Sequence, residues 1–378
     1  MTIYHEIVLA LTAGLFLNAI VNLLTFRKPR APIIDPDVLP FISILVPARN
    51  EERHIEACVE ALLAQNYPHY EVIVLDDEST DATYAILHAM RDRDDRLRIM
   101  VGASLAEGWC GKPHACWQLA RAATGDYVLF TDADCRLAPD ALLLALGAHI
   151  EHDADLVSMM PEYIASTFWE RVVIPLLVMI PIAFLPITAV RGMRWPLMAA
   201  ANGAFLFMRR EEYLRCGGHA AVRDQLAEDV KFAQHVKRFG LTEWYGDGIK
   251  VYSVRMYESL DEIWRGFRKN LFAAFSRKLS ILIPGLTLVT IVMILPLPLT
   301  LAGLALHASW TLLPAAAFAL TVLIRLGTCW FLGRDDPAYA FLNPLSWLIA
   351  ILIAFSSIRD HYGNGHTWKG RLYDQQKK

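Results

Sequence analysis

An α/β domain with a mostly parallel sheet, flanked by membrane helices, is the fold class that the sequence predicts. Three observations carry that expectation. Short β-rich runs alternate with helical periodicities between residues 41 and 130. Acidic clusters follow the second and the fourth of those runs. Apolar stretches long enough to cross a bilayer lie near residues 3–26 and 281–358, while most of the chain between them has the character of a soluble domain.

The elements follow in order. Ile3–Phe26 is apolar apart from Asn18, Asn22 and a few hydroxyls, slightly more than the ~20 residues a crossing helix needs. No basic region precedes it and no small-residue cleavage site follows, so residues 1–28 read as a retained anchor. Arg27, Lys28 and Arg30 come next, which predicts an N-terminus outside and the bulk of the chain at the cytoplasmic face of the inner membrane. The proline-rich stretch 29–40 is an extended linker. Strands are expected at Ile42–Val46, Glu71–Leu75, Leu97–Val101 and Tyr127–Phe130, with amphipathic helices between them, one carrying Ile55, Val59, Leu62 and Leu63 at helical spacing. In such a sheet ligands gather at the carboxyl ends of the strands. Asp76-Asp77 and Asp132-Ala-Asp134 both fall there.

The expected catalytic domain spans 29–280 and contains one apolar anomaly at 172–190. A single crossing there would separate Asp134 from Asp229, two acids expected to serve one site. Two crossings would need about twice the length. Pro175, Pro181 and Pro186 also interrupt it. An interfacial or re-entrant element is therefore expected, with a buried pair of core helices as the competing reading. Beyond it, Ile281–Leu306 and Trp310–Leu332 are expected spans, with Arg325 facing the bundle or snorkelling. Phe341–Ile358 is short and begins at Asn343-Pro344. The tail 359–378 is basic and is expected to be cytoplasmic, so that segment reads as interfacial or re-entrant.

Composition narrows the function. The chain has 378 residues and a net charge of −3, without the basic face that nucleic-acid binding requires. Its six cysteines form no C-x-x-C pair, and their scatter offers no zinc spacing and fits a reducing compartment. Three acidic constellations remain: Asp76-Asp77, Asp132-Ala-Asp134 and Glu228-Asp229. Carboxylates crowded at strand ends are costly unless something positive joins them. A divalent ion bridging phosphate oxygens does so. A solvated loop is the alternative for the second cluster, and stabilising acids at a helix N-terminus for the third.

Taken together and in order, Val46-Pro-Ala-Arg-Asn-Glu-Glu, Val74-Leu-Asp-Asp-Glu-Ser-Thr-Asp, Gly111-Lys-Pro, Thr131-Asp-Ala-Asp, Asn202-Gly-Ala and Ala227-Glu-Asp-Val resemble the family-2 glycosyltransferases of GT-A fold. The likeness covers roughly 41–270. The flanking apolar segments and Trp368-Lys-Gly-Arg371 are similar to the membrane subset acting on ceramide, carotenoid or hopanoid-type lipids. The resemblance implies that Pro47, Ala48, Arg49 and Glu51, with Asp76 and Asp77, hold the base and ribose of a nucleotide-sugar, most simply a UDP-sugar. It implies Lys112 near the donor phosphates, Asp132 and Asp134 at a divalent metal (Mg2+ or Mn2+), and Asp229 as catalytic base with Glu228 tuning it. Asn202, Gly203, Trp264, Arg265, Arg268, Trp368 and Arg371 become candidates for the acceptor or leaving group. The expected reaction is an inverting transfer of one sugar to a membrane lipid.

One departure separates the chain from processive polysaccharide synthases. Their Gln-x-x-Arg-Trp is missing, and Trp264-Arg265 has the reverse order. A non-catalytic membrane scaffold is the other rival, opposed by the intact Asp132, Asp134 and Asp229. A nucleotide-binding oxidoreductase would need a G-x-G-x-x-G after the first strand, which the chain lacks.

Overall fold

A computed structural model describes residues 2–333, 337–363, 366–368 and 371–373. The chain divides into two compact units. One comprises 27–164 and 189–255; the other comprises 1–26, 165–188 and 256–378. The expected continuous domain 29–280 is thus divided, because 165–188 and 256–280 pack with the apolar helices.

The first unit is built on an eight-stranded sheet. Its strands are β1 (Ile42–Ala48), β2 (Tyr70–Asp76), β3 (Leu97–Val101), β4 (Tyr127–Phe130), β5 (Cys135–Leu137), β6 (Leu156–Tyr163), β7 (Leu206–Arg209) and β8 (Glu243–Val254). They lie in the order β3-β2-β1-β4-β7-β6-β8-β5. The first four run parallel, as the alternation of runs and helices predicts. β7 runs antiparallel to both neighbours, and β6 and β8 are parallel. Every residue of β2 and β4 is buried, so residues 72–75 and Tyr127–Phe130 read as apolar runs rather than alternating ones. The core on one face gathers Leu45, Leu75, Leu119, Phe130, Tyr213 and Phe232, supplied by the sheet and by the helices Gly111–Ala122, Arg210–Arg215 and Glu228–Arg238. All six cysteines of the chain are free and buried.

The second unit is helical. Among the described residues, Ile3–Thr25, Leu312–Phe331 and Pro337–Tyr362 are long and apolar enough to cross a membrane, with a fourth candidate if Leu260–Ala274 and Leu279–Ile294, bent by 118°, count as one. Two expectations change here. Ile281–Leu306 is not one helix: it divides into Leu279–Val289, which runs through Pro284, a π-helical turn over Thr290–Ile294, and Pro296–Ala305, which opens on a proline. The segment at Phe341–Ile358, expected to be short, forms the 20-residue helix Asn343–Tyr362, in which Pro344 sits harmlessly in the first turn.

The anomaly at 172–190 resolves into three short helices, Phe168–Val173, Leu176–Phe184 and Ile187–Gly192, none near a crossing length. Most of its apolar side chains are buried in protein, as the competing reading had it. Proline breaks strand backbone carbonyls, and polar side chains from the long helices collect them. Asn22 Nδ2 donates to the carbonyls of Ile182 and Leu185, each at 2.7 Å, while its Oδ1 accepts from the amide of Ile187 at 3.0 Å. Arg325, fully buried, donates to the carbonyls of Arg171 at 2.9 Å and Val172 at 2.8 Å. It faces the bundle.

Candidate active site

The site lies in the sheet unit, where parallel strands end. Register sets the ends of β1 and β2 level, Ala48 opposite Asp76. The loops beyond them are laced together. The amide of Asp77 donates to Ala48 O at 2.8 Å, and that of Asn50 to Ser79 Oγ at 3.0 Å. The amide of Glu51 reaches Thr83 Oγ1 at 2.7 Å, and Arg49 donates to Asp77 O. Asn50 and Glu78 both take positive φ to make these turns, a conformation that Asn tolerates and Glu accepts at a cost. Pro47, Ala48, Arg49, Glu51, Asp76 and Asp77 are therefore one cluster. Within it Asp76 is 4% exposed, and its Oδ1 finds no hydrogen-bond donor among the described residues. A buried acceptor left open is costly and points to a donor group brought in by a ligand.

The second cluster is centred on Lys112, in the first turn of Gly111–Ala122. Its ammonium stands 2.7 Å from Asp132 Oδ1, just beyond β4, and 3.0 Å from Glu228 Oε1. Burial works against the charge, but the Asp132 and Glu228 carboxylates outweigh it and hold the Lys112 pKa well above its ordinary value. A third of the side chain, 34%, still meets solvent, so the cation remains within a ligand's reach. Cys58 Sγ donates to Asp132 O at 3.6 Å from below.

Asp229 sits beside Glu228 in the first turn of Glu228–Arg238, where backbone amides favour negative charge. Its Oδ2 accepts from the amide of Gly203 at 3.2 Å, and its Oδ1 from that of Val230 at 2.8 Å. Burial first, and the Glu228 charge second, nevertheless raise its pKa to about 6. A carboxylate so placed is ionised at neutral pH yet far more basic than a surface aspartate, which suits a general base. Gly203 is where it is because nothing larger fits easily. A Cβ there would stand 3.0 Å from Lys112 Nζ and 3.3 Å from Asp229 Cβ.

Asn202 is held by groups that sequence reasoning missed. Its amide donates to Ser158 Oγ at 2.9 Å, and its Nδ2 to Tyr163 Oη at 2.9 Å, both on β6. The sequence signal was only that β6 carries two hydroxyls in an apolar run. Lys112, Asp132, Glu228, Asp229, Asn202 and Gly203 thus converge from four segments scattered over more than 110 residues. Asp134 follows in the same turn, partly exposed.

The donor set fits a divalent ion of one kind. No group of three or more His, Cys, Asp or Glu side chains is poised around a metal position among the described residues. Asp132 and Asp134, just beyond β4, are hard oxygen donors of the kind that suits an ion whose other positions are taken by water and phosphate.

The remaining candidates belong to the helical unit. Trp264 Nε1 donates to Ser356 Oγ at 3.3 Å, and Arg268 pairs with Asp360 at 2.8 Å, so both fasten Leu260–Ala274 to Asn343–Tyr362. Arg265 is exposed and pairs with Asp261 one turn back. Trp368 and Arg371 lie opposite each other in the antiparallel pair His366–Trp368 and Arg371–Tyr373. Lys369, between them, lies outside the described residues.

Residues 43–216 match the family model Glycosyl transferase family 2. The 4,4'-diaponeurosporenoate glycosyltransferase of Staphylococcus haemolyticus is 25% identical over 97% of this chain and 96% of its own length. Its counterpart in Staphylococcus aureus strain MRSA252 is 26% identical over 61% of this chain and 60% of its own. Among solved structures, a mannosyltransferase of Pyrobaculum calidifontis in complex with GDP-Man and Mn2+ superposes with a TM-score of 0.54 at 21% identity, covering 93% of this chain and 99% of that one, a likeness of fold. The chain carries a glycosyl transferase family 2 domain and is a glycosyltransferase of the GT-A fold.

Proposed function

We propose that the enzyme moves a single sugar, with inversion, from a nucleotide-sugar to a hydroxyl or carboxyl of a membrane lipid at the cytoplasmic face. The observation that carries the reading is the convergence of Lys112, Asp132 and Glu228 beside an Asp229 of raised pKa. One half of that cluster suits a departing diphosphate and the other suits an attacking acceptor. The relative from Staphylococcus haemolyticus, matched end to end, acts by its name on a carotenoid acid, which supports a lipid acceptor here.

In this reading the 47–51 loop with Asp76 and Asp77 holds the nucleoside, and the open Asp76 Oδ1 receives one of its donors. Asp132 and Asp134 hold a Mg2+ or Mn2+ ion, which when bound supplies charge neutralisation for the diphosphate. Lys112 contributes a further positive charge there, exchanging a carboxylate for a phosphate oxygen. Asp229, oriented by the Gly203 and Val230 amides, takes the acceptor's proton as the acceptor oxygen meets the anomeric carbon.

Asp229→Asn is the test. Transfer is abolished while the donor binds with unchanged affinity in a calorimetric titration. Loss of donor affinity comparable to the loss of rate would make Asp229 a ligand, and the role assigned to it would be wrong.

A further inference from the structure

Between the short helix Ile187–Gly192 and the Asn202-Gly203 turn, the sheet unit carries a loop that the reaction described above does not use. Its tip exposes three large apolar side chains in five residues: Met193 at 52%, Trp195 at 54% and Leu197 at 64%. Its base, by contrast, is among the most firmly held features of the unit. Lys237, 4% exposed, donates from one ammonium to the carbonyls of Val190 at 2.5 Å and Met193 at 2.8 Å on the entry side, and of Met198 at 2.5 Å on the exit side. Glu243, buried beside it at 3.5 Å, accepts the amide of Ala200 at 2.9 Å. The turn is closed by the Met198 amide on Trp195 O at 2.9 Å.

An apolar tip on a clamped base is not a loop waiting to fold inward. Burying an ion pair to pin a loop whose tip leaves Trp, Met and Leu in water is unfavourable unless something apolar covers the tip. Two facts identify the cover. The stretch 189–201 contains no acid and exposes Arg194 beside the apolar tip, while Arg191 is turned inward onto Tyr245 O; an exposed cation suits anionic headgroups, and Trp is the residue most suited to the bilayer–water boundary. The chain also enters this stretch at residue 189, directly from the apolar segment 165–188 that packs with the membrane helices. On its exit side the loop runs within five residues into Gly203, whose amide holds Asp229.

We propose that the Met193–Leu197 loop sits in the bilayer interface and forms the lip over which the lipid acceptor passes to Asn202 and Asp229. Lys237 and Glu243 are then positioning residues that fix this lip relative to the base. The role in transfer rests on the reading of the acceptor as a membrane lipid; the contact with the bilayer does not.

The full-length protein, reconstituted in vesicles of phosphatidylcholine and phosphatidylglycerol, carries an environment-sensitive fluorophore at Trp195→Cys. All six native cysteines are buried, which keeps labelling selective. Nitroxide-bearing lipid quenches the label and aqueous iodide does not, whereas a label at Asp95→Cys, in an exposed charged turn, behaves in the opposite way. Equal iodide quenching at the two positions overturns the proposal, and so does shielding of position 195 from both quenchers, which would signal a protein cover. In a second arm, the combined Met193→Ser, Trp195→Ser and Leu197→Ser variant raises the KM for lipid by about tenfold with donor hydrolysis unchanged. Parallel loss of hydrolysis, or no change in KM, refutes the lip. Absence of lipid product from the wild-type enzyme, with the label of the Trp195→Cys protein in the bilayer, would instead refute the acceptor reading alone.

Discussion

Replacing Glu228 with Gln tests the electrostatics of the site with little change of shape, because the amide oxygen of Gln still accepts from Lys112 at the 3.0 Å that Glu228 Oε1 occupies. Asp229 has a pKa raised to about 6, by burial first and by the Glu228 charge second. As a base it works only when ionised, so activity is lost as pH falls through that value. At pH 5 the wild type therefore runs at about a tenth of its plateau. Removing the Glu228 charge leaves burial in place, so the acid limb moves down only part of the way. A shift of one unit, about 1.4 kcal/mol of relieved repulsion, is the size expected of a neighbouring like charge in a partly solvated site, and it raises the pH 5 rate to about half of plateau. The assay is kcat against pH from 4.5 to 8, following nucleotide release at saturating donor and lipid. An acid limb that stays put or moves upward refutes the account of Asp229. The same linkage gives a control. An acid whose pKa is raised on folding costs stability once it ionises, so Asp229→Asn melts no lower than wild type at pH 8, and its inactivity is not misfolding.

Asp132→Ala and Asp134→Ala should each weaken binding of the intact nucleotide-sugar and abolish its dependence on Mn2+ or Mg2+, read by titration with and without EDTA; full wild-type activity in EDTA would exclude a metal role. Asn22→Leu deletes three hydrogen bonds to the broken backbone at Ile182, Leu185 and Ile187, and should lower stability by about 1–3 kcal/mol, seen as earlier thermal unfolding in detergent, while the donor affinity of the sheet unit is unchanged.

The parts of this molecule legible in the sequence are those where local rules and tertiary structure agree. β1 to β4 stand where β-rich runs alternate with helical spacing, because a parallel sheet buried on both faces needs those runs. Asp132 and Glu228-Asp229 were recognisable because acids at a strand end and at a helix start are each unusual enough to demand a counter-charge. That Lys112 meets both was not legible, since its two partners lie 20 and 116 residues away and only the sheet order brings them together. The apolar stretches misled for a related reason. Hydropathy treats Ile281–Leu306 and Asn343–Tyr362 alike, whereas backbone chemistry separates them: a π-helical turn and a new helix opening at Pro296 interrupt the first midway, and Pro344 falls at the start of the second. Lys237 and Glu243 lie in an amphipathic helix and at a strand start, where surface positions are the default, and their burial depends wholly on the loop they hold.

The central claim is that one sugar passes from a nucleotide to a membrane lipid, and mass analysis of extracted lipid tests it most directly. Membranes containing the enzyme, incubated with a panel of isotope-labelled nucleotide-sugars and extracted into organic solvent, should yield a lipid heavier by a single glycosyl residue with one donor of the panel, and none when the membranes carry Asp229→Asn. Label recovered instead in a water-soluble polymer, or lipids carrying a ladder of several sugars, would contradict it.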